Sequence, residues 1–247
     1  MELDEGTRTM HDLDTPGDHR KRATLLVGLG FMSIAMWQFP EGRIALYPFT
    51  ILATWFHEMG HGLAALLTGS RFEHLVIFSD GSGYASILRP GNGFRVTDAI
   101  IAASGPLGPA IAGSLLIVAS RTPRSSGRAL TVLGAALALS AVIWVRSIVG
   151  LLVLPMIGIA ILGIAAYAKP AWQRLAVQVL GVQACISVWR QFDYLFSDGG
   201  YVGGRPAQSD TSAIADALLL PYWFWGGAVS VGIVALLWWS IRVSFRR

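Results

Sequence analysis

Long apolar stretches separated by short polar breaks run through most of the chain, at Ala23 to Phe39, Ile44 to Thr68, Val96 to Ser120, Ala129 to Val145, Ile148 to Ala168, Trp172 to Phe196 and Pro221 to Val243. Most reach the roughly 20 residues that a helix needs to cross the hydrocarbon of a bilayer. The pattern predicts an all-α polytopic membrane protein with about six or seven transmembrane helices. The last stretch is bracketed by Tyr222, Trp223 and Trp225 at one end and by Trp238 and Trp239 at the other, as interfacial aromatic belts require. Trp223 and Trp239 would stand about 24 Å apart on a helix, close to the hydrocarbon thickness.

Two regions break the pattern. Residues 1–22 hold six acidic side chains (Glu2, Asp4, Glu5, Asp12, Asp14 and Asp18) and almost no apolar ones. They predict a polar mobile tail, and an acidic start argues against a cleaved secretory signal. Residues 23–247 then form a single integral-membrane domain. Within it, residues 71–93 are the one sizeable non-helical insertion expected, where Leu75 to Phe78 and Tyr84 to Leu88 flank Asp80-Gly81-Ser82-Gly83. That arrangement predicts a small β-hairpin with a glycine-supplied turn. Its strands must lie against protein or at the interface, since an open sheet edge cannot face lipid.

Composition agrees with a membrane location: 53% of residues are hydrophobic and only 14% charged, with mean hydropathy +0.54. The single cysteine, Cys185, excludes an internal disulfide and a cysteine-based zinc cage. The net charge of +4 does not predict a nucleic-acid partner, because the Lys and Arg residues punctuate the ends of apolar stretches instead of forming a patch. Shared almost evenly between the two sides, they leave membrane orientation unassigned.

The candidate chemistry lies in the second stretch, where His57-Glu58-Met59-Gly60-His61 forms an H-E-x-x-H pattern. Four residues are slightly more than one helical turn, so both imidazoles leave one face and can share a Zn²⁺ ion, with Glu58 placed as general base. From the frequency of His and Glu in this chain, roughly 0.002 such patterns are expected by chance. Thr50, Thr54, His57, Glu58, His61 and Thr68 fall within about 100° of a helical wheel, a polar stripe on an otherwise apolar helix that must face protein. The alternatives are a structural cluster of hydrogen-bonded histidines and haem ligation by His57 or His61.

No histidine follows His74, so a third ligand must be a carboxylate. Asp210 opens a helix after a Gly- and Pro-rich loop, although Ser209 and Asp210 also suit a helix cap. Asp193, beside Gln183, Ser187, Arg190 and Tyr194, is the alternative third ligand, unless it pairs with Arg190. Asp98 reads as a helix cap and Asp80 as a turn residue. Gly105, Pro106, Gly108 and Pro109 predict a small-residue groove that can pack on Gly60 and Gly62.

Taken together, HEMGHGLAALLTG, the following hairpin with DGSG, SGPLGPAIAG and the late QSDTSAIADALLLPYWFWG resemble the M50B-like branch of the site-2 protease (M50) family of intramembrane zinc metallopeptidases. The resemblance covers about residues 44–120 and 180–230. It implies a bacterial cell membrane location, Zn²⁺ as cofactor, and His57, His61 and Asp210 as ligands. It further implies Glu58 as the catalytic base and a membrane-protein or membrane-associated peptide as substrate. The rival functions are a catalytically idle protease-like scaffold or chaperone and an ion-coupled transporter using Asp193 or Asp210.

Overall fold

The computed structural model describes residues 16–89 and 95–245, so most of the expected polar tail and the end of the hairpin insertion, residues 90–94, lie outside the described residues. In order the elements are α1 (Pro16–Met36), α2 (Pro40–Ala45), α3 (Tyr47–Leu67), β1 (Arg71–Ile77), β2 (Gly83–Leu88), α4 (Arg95–Ala119), α5 (Pro123–Ile143), α6 (Ile148–Tyr167) and α7 (Pro170–Arg190). There follow α8 (Phe192–Leu195), β3 (Gly199–Val202), β4 (Arg205–Gln208), α9 (Asp210–Leu218) and α10 (Tyr222–Phe245). Proline opens α2, α3, α5 and α7 in the first turn, where a missing N–H costs nothing. Thr122 caps α5 through a reciprocal bond with Ser125, and Ser147 caps α6 by accepting from Gly150 N–H.

Among the described residues, four helices, α4, α5, α6 and α10, are long and apolar enough to cross a membrane, fewer than the six or seven expected. The difference lies in polarity more than in length. α3 and α7 each have 21 residues, about 31 Å, but α3 carries two histidines and a glutamate, and α7 carries three glutamines and an arginine near its start. These polar groups turn inward. Gln178 is buried, Gln183 accepts from the Ser33 hydroxyl of α1 (2.9 Å), and the Gln173 amide donates to the Ala165 and Ala168 carbonyls. In α1 only Thr24–Met36 is apolar.

The outer surface has the opposite character. α6 is the most apolar helix, yet only 22% of its best window is buried, and Ile148, Leu152, Met156 and Ile159 face outward. A helix this apolar would be enclosed in a water-soluble fold, so its exposed side is a lipid-facing surface. The chain is an integral membrane protein.

The predicted hairpin is present and longer than expected. β1 pairs antiparallel with β2, with a bulge between Phe72 and His74, and Gly81 takes a positive φ of 86° in the turn. The outer edge of β1 is covered: Leu75 N–H donates to the Trp144 carbonyl and its carbonyl accepts from Arg146 N–H, both at 2.9 Å, in the α5–α6 connection. The hairpin lies along α3, with the Phe72 ring occupying the space beside Gly62. Gly62 therefore receives the hairpin instead of the expected α4 groove.

A second hairpin, β3–β4, was not expected from the sequence, which reads there as a loop. Gly203 and Gly204, at φ 55° and 75°, form its two-residue turn, the positive angles that a type I′ hairpin turn needs.

Candidate metal centre

α4 packs against α3, α7, α9 and α10 and is the helix around which the site is built. Its approach to α3 depends on glycine. A Cβ at Gly60 would meet the Ser104 carbonyl, one at Gly108 the Phe56 carbonyl, and one at Gly105 the imidazoles of both His61 and His57. The small-residue groove thus lets the α4 backbone lie directly against the two rings.

The polar stripe of α3 divides its work along the helix. The Thr54 hydroxyl donates to the Gly81 carbonyl and so docks the hairpin turn; Thr68 donates to the carbonyls of Ala64 and Ala65 at the helix end. Between them lie His57 and Glu58, both buried, and His61, which is partly buried. His61 Nδ1–H donates to the Ile101 carbonyl of α4 (2.7 Å), which leaves Nε2 of a neutral ring as a free lone pair. The Ala85 backbone of β2 lies against the Glu58 carboxylate.

Asp210 completes the group. Ser209, not Asp210, caps α9: its hydroxyl accepts from Ser212 N–H at 3.1 Å and donates to the Ser197 carbonyl at 2.6 Å. Asp210 is thereby left in the first helical turn with its carboxylate turned to the histidines, Oδ2 at 3.0 Å from His57 Nε2 and Oδ1 at 3.2 Å from His61 Nε2. The two Nε2 atoms are 3.1 Å apart. Four ligands at zinc distances of 2.0–2.1 Å in a tetrahedron are separated by about 3.3 Å, close to these spacings. His57 Nδ1 is buried without a hydrogen-bond partner among the described residues, so that ring, unlike that of His61, is held only through its Nε2 side. Two imidazoles and a carboxylate converging in this way can hold a metal ion.

A family model described as Peptidase M50B-like matches residues 24–240. The chain belongs to the Peptidase M50B-like family. No curated protein and no solved structure matches it.

The remaining candidates of this M50B-like chain lie elsewhere. Asp193, the alternative ligand, sits in α8 and lines a surface cavity with Arg43 and Arg190; it is not in the metal-capable group and forms no ion pair with Arg190 among the described residues. Asp98 pairs with Arg89 (3.0 Å) in the first turn of α4. Asp80 accepts from the Ser82 N–H and hydroxyl (2.9 and 2.6 Å), bonds that hold its carboxyl below the usual carboxylate range.

Ser82 is a residue that sequence reasoning missed. Its hydroxyl also accepts from Gly203 N–H at 2.9 Å, and the Phe78 ring fills the space beside Gly203. The tips of the two hairpins are therefore joined, and the segment that carries Asp210 is tied to the hairpin beside Glu58. Its sequence signal was the two glycine-rich turns, DGSG and GG, which nothing in one dimension brings together.

Proposed function

We propose that the protein is an intramembrane zinc metalloendopeptidase of a cell membrane, with His57, His61 and Asp210 as ligands and Glu58 as general base. The observation that carries the reading is the convergence of the three ligand atoms beside Glu58 in a chain of a peptidase family. Zinc held there would act as a Lewis acid, lowering the pKa of a water and polarising the scissile carbonyl. Glu58 accepts the proton from that water and returns it to the leaving amine. The Ile101 carbonyl fixes the His61 ring, and the Gly105 backbone lies against the Nε2 side of both imidazoles.

The substrate is a membrane-protein segment that must present a carbonyl released from its own helix. β2 supplies a place to hold it. Leu75 directs both its backbone groups away from β2, so its partner Ala85 directs both away from β1, and alternation extends this to Gly83 and Ile87. Ala85 spends its outward N–H on the Glu58 carboxylate, so Gly83 and Ile87 are the edge positions on either side of Glu58 with which an extended substrate can pair. Ile87→Pro removes one outward donor without touching the ladder. It is expected to lower cleavage several-fold at unchanged zinc content, whereas activity equal to wild type would remove strand pairing from the mechanism.

The test of the whole reading is Glu58→Gln. The amide cannot accept a proton, so cleavage should fall by 10²-fold or more while zinc stays stoichiometric. Membrane proteins that accumulate uncleaved in cells carrying Glu58→Gln identify substrates. A scaffold predicts no difference between the two proteomes, and an ion-coupled transporter predicts no stoichiometric zinc in the purified wild type.

A further inference from the structure

A second polar feature lies outside the metal centre, at the corner where α1 gives way to α2 and α7 to α8. There Trp37, Gln38, Arg43, Trp189, Arg190, Phe192 and Asp193 line a surface cavity of about 450 Å³, within the range of small-ligand sites. Trp37 organises both arginines: the Arg190 guanidinium lies over its ring, 3.4 Å from the centroid, and Arg43 Nε–H donates to its carbonyl at 3.1 Å. The two guanidiniums are close enough to repel each other. Neither forms an ion pair among the described residues, and Asp193 is the one acid against two bases in the cavity wall. Trp37 Nε1–H is a buried donor with no acceptor among the described residues. The cavity thus gathers donors and positive charge that the protein leaves unanswered.

Its surroundings are apolar and outward-facing. Trp189 is 73% exposed and stacked on Phe192 (5.9 Å), with Phe39 and Ile44 exposed nearby along the chain. An exposed indole beside arginines without an ion pair at a helix end is the chemistry of the membrane boundary. We propose that this cavity binds the phosphate of an anionic phospholipid, with Arg43 and Arg190 clamping the phosphate oxygens and Trp37, Trp189 and Phe192 seating the glycerol and first acyl carbons. A zwitterionic headgroup would bring its own cation against the two arginines.

The purified full chain in detergent is offered phosphatidylglycerol, phosphatidylcholine or inorganic phosphate at matched concentrations, and bound adducts are counted by native mass spectrometry. Phosphatidylglycerol should be retained in preference to the other two, and the double variant Arg43→Gln/Arg190→Gln should lower its apparent affinity about tenfold. Thermal stability and gel-filtration profile report folding of each variant independently of the metal centre. Arg190→Lys, which keeps the charge but not the planar stack on Trp37, is a milder second variant and should bind at intermediate strength. Equal retention of phosphatidylglycerol and phosphatidylcholine overturns the proposal, as does unchanged binding by both variants. Inorganic phosphate binding as tightly as the lipid would overturn the lipid as its source.

Discussion

Gly105→Ala is expected to cost the protein its metal. One methyl group at this position meets the Nε2 side of His61 and of His57, the atoms proposed as ligands, and it is attached to the backbone of α4, which cannot swing aside like a flexible side chain. Either the rings rotate away or α4 retreats from α3; retreat also breaks the His61–Ile101 bond that sets the ring. Overpacking of this kind costs about 1–3 kcal/mol, and displaced ligands lower metal affinity by about 10–100-fold, with cleavage falling in parallel. Gly163→Ala is the matched control, because a Cβ there meets nothing within 4 Å. The measurements are zinc affinity by competition with a chelator and thermal stability of both variants. Wild-type zinc affinity in Gly105→Ala would show that the imidazoles do not turn their Nε2 atoms toward α4.

The second large effect separates the two carboxylates. Asp210→Ala removes one of the three proposed ligands and is expected to abolish stoichiometric zinc and cleavage together, whereas Asp193→Ala should leave zinc unchanged. The helix itself should survive the loss of Asp210, since Ser209 carries the cap and an acid in the first turn adds only about 0.3–1 kcal/mol. Ser209→Ala is the converse variant: about 1 kcal/mol of stability lost, with zinc still bound. If Asp193→Ala loses zinc and Asp210→Ala keeps it, the ligand assignment is reversed.

The parts of this architecture that were legible in the sequence are those written at short range. Five consecutive residues put His57, Glu58 and His61 on one helical face, and the stripe through Thr50, Thr54 and Thr68 shows which side of α3 meets protein. The first hairpin was legible because apolar strands flank its turn. The second was not, because β3 and β4 are four residues each, contain Gly199, Gly200, Arg205 and Pro206, and have no apolar alternation. Only the Gly203-Gly204 pair marked its turn. The third member of the metal-capable group, read as Asp210, kept Asp193 as its alternative for a different reason. What brings Asp210 to the histidines is the packing of α9 on α4, a contact between distant segments that no local pattern encodes. Fewer helices than the expected spans are apolar enough to cross a membrane on their own, because length was read more readily than polarity. α3 and α7 have the length of membrane helices, but their histidines, glutamate and glutamines need neighbouring helices for company.

That need bears on how the chain is made. α3 leaves the ribosome ahead of α4, with Glu58 and two histidines near its middle, and an ionised acid at the centre of a bilayer costs on the order of 3 kcal/mol. The groups that accommodate these side chains, the Ile101 carbonyl, the Gly105 backbone and Asp210, are all synthesised later. α3 is therefore poorly suited to partition into lipid as a lone segment and depends on α4 to settle beside it. A nascent chain stopped between the two, at Leu88, should be recovered outside the bilayer or bound to the insertion machinery, and one extended through Ala119 should be integrated.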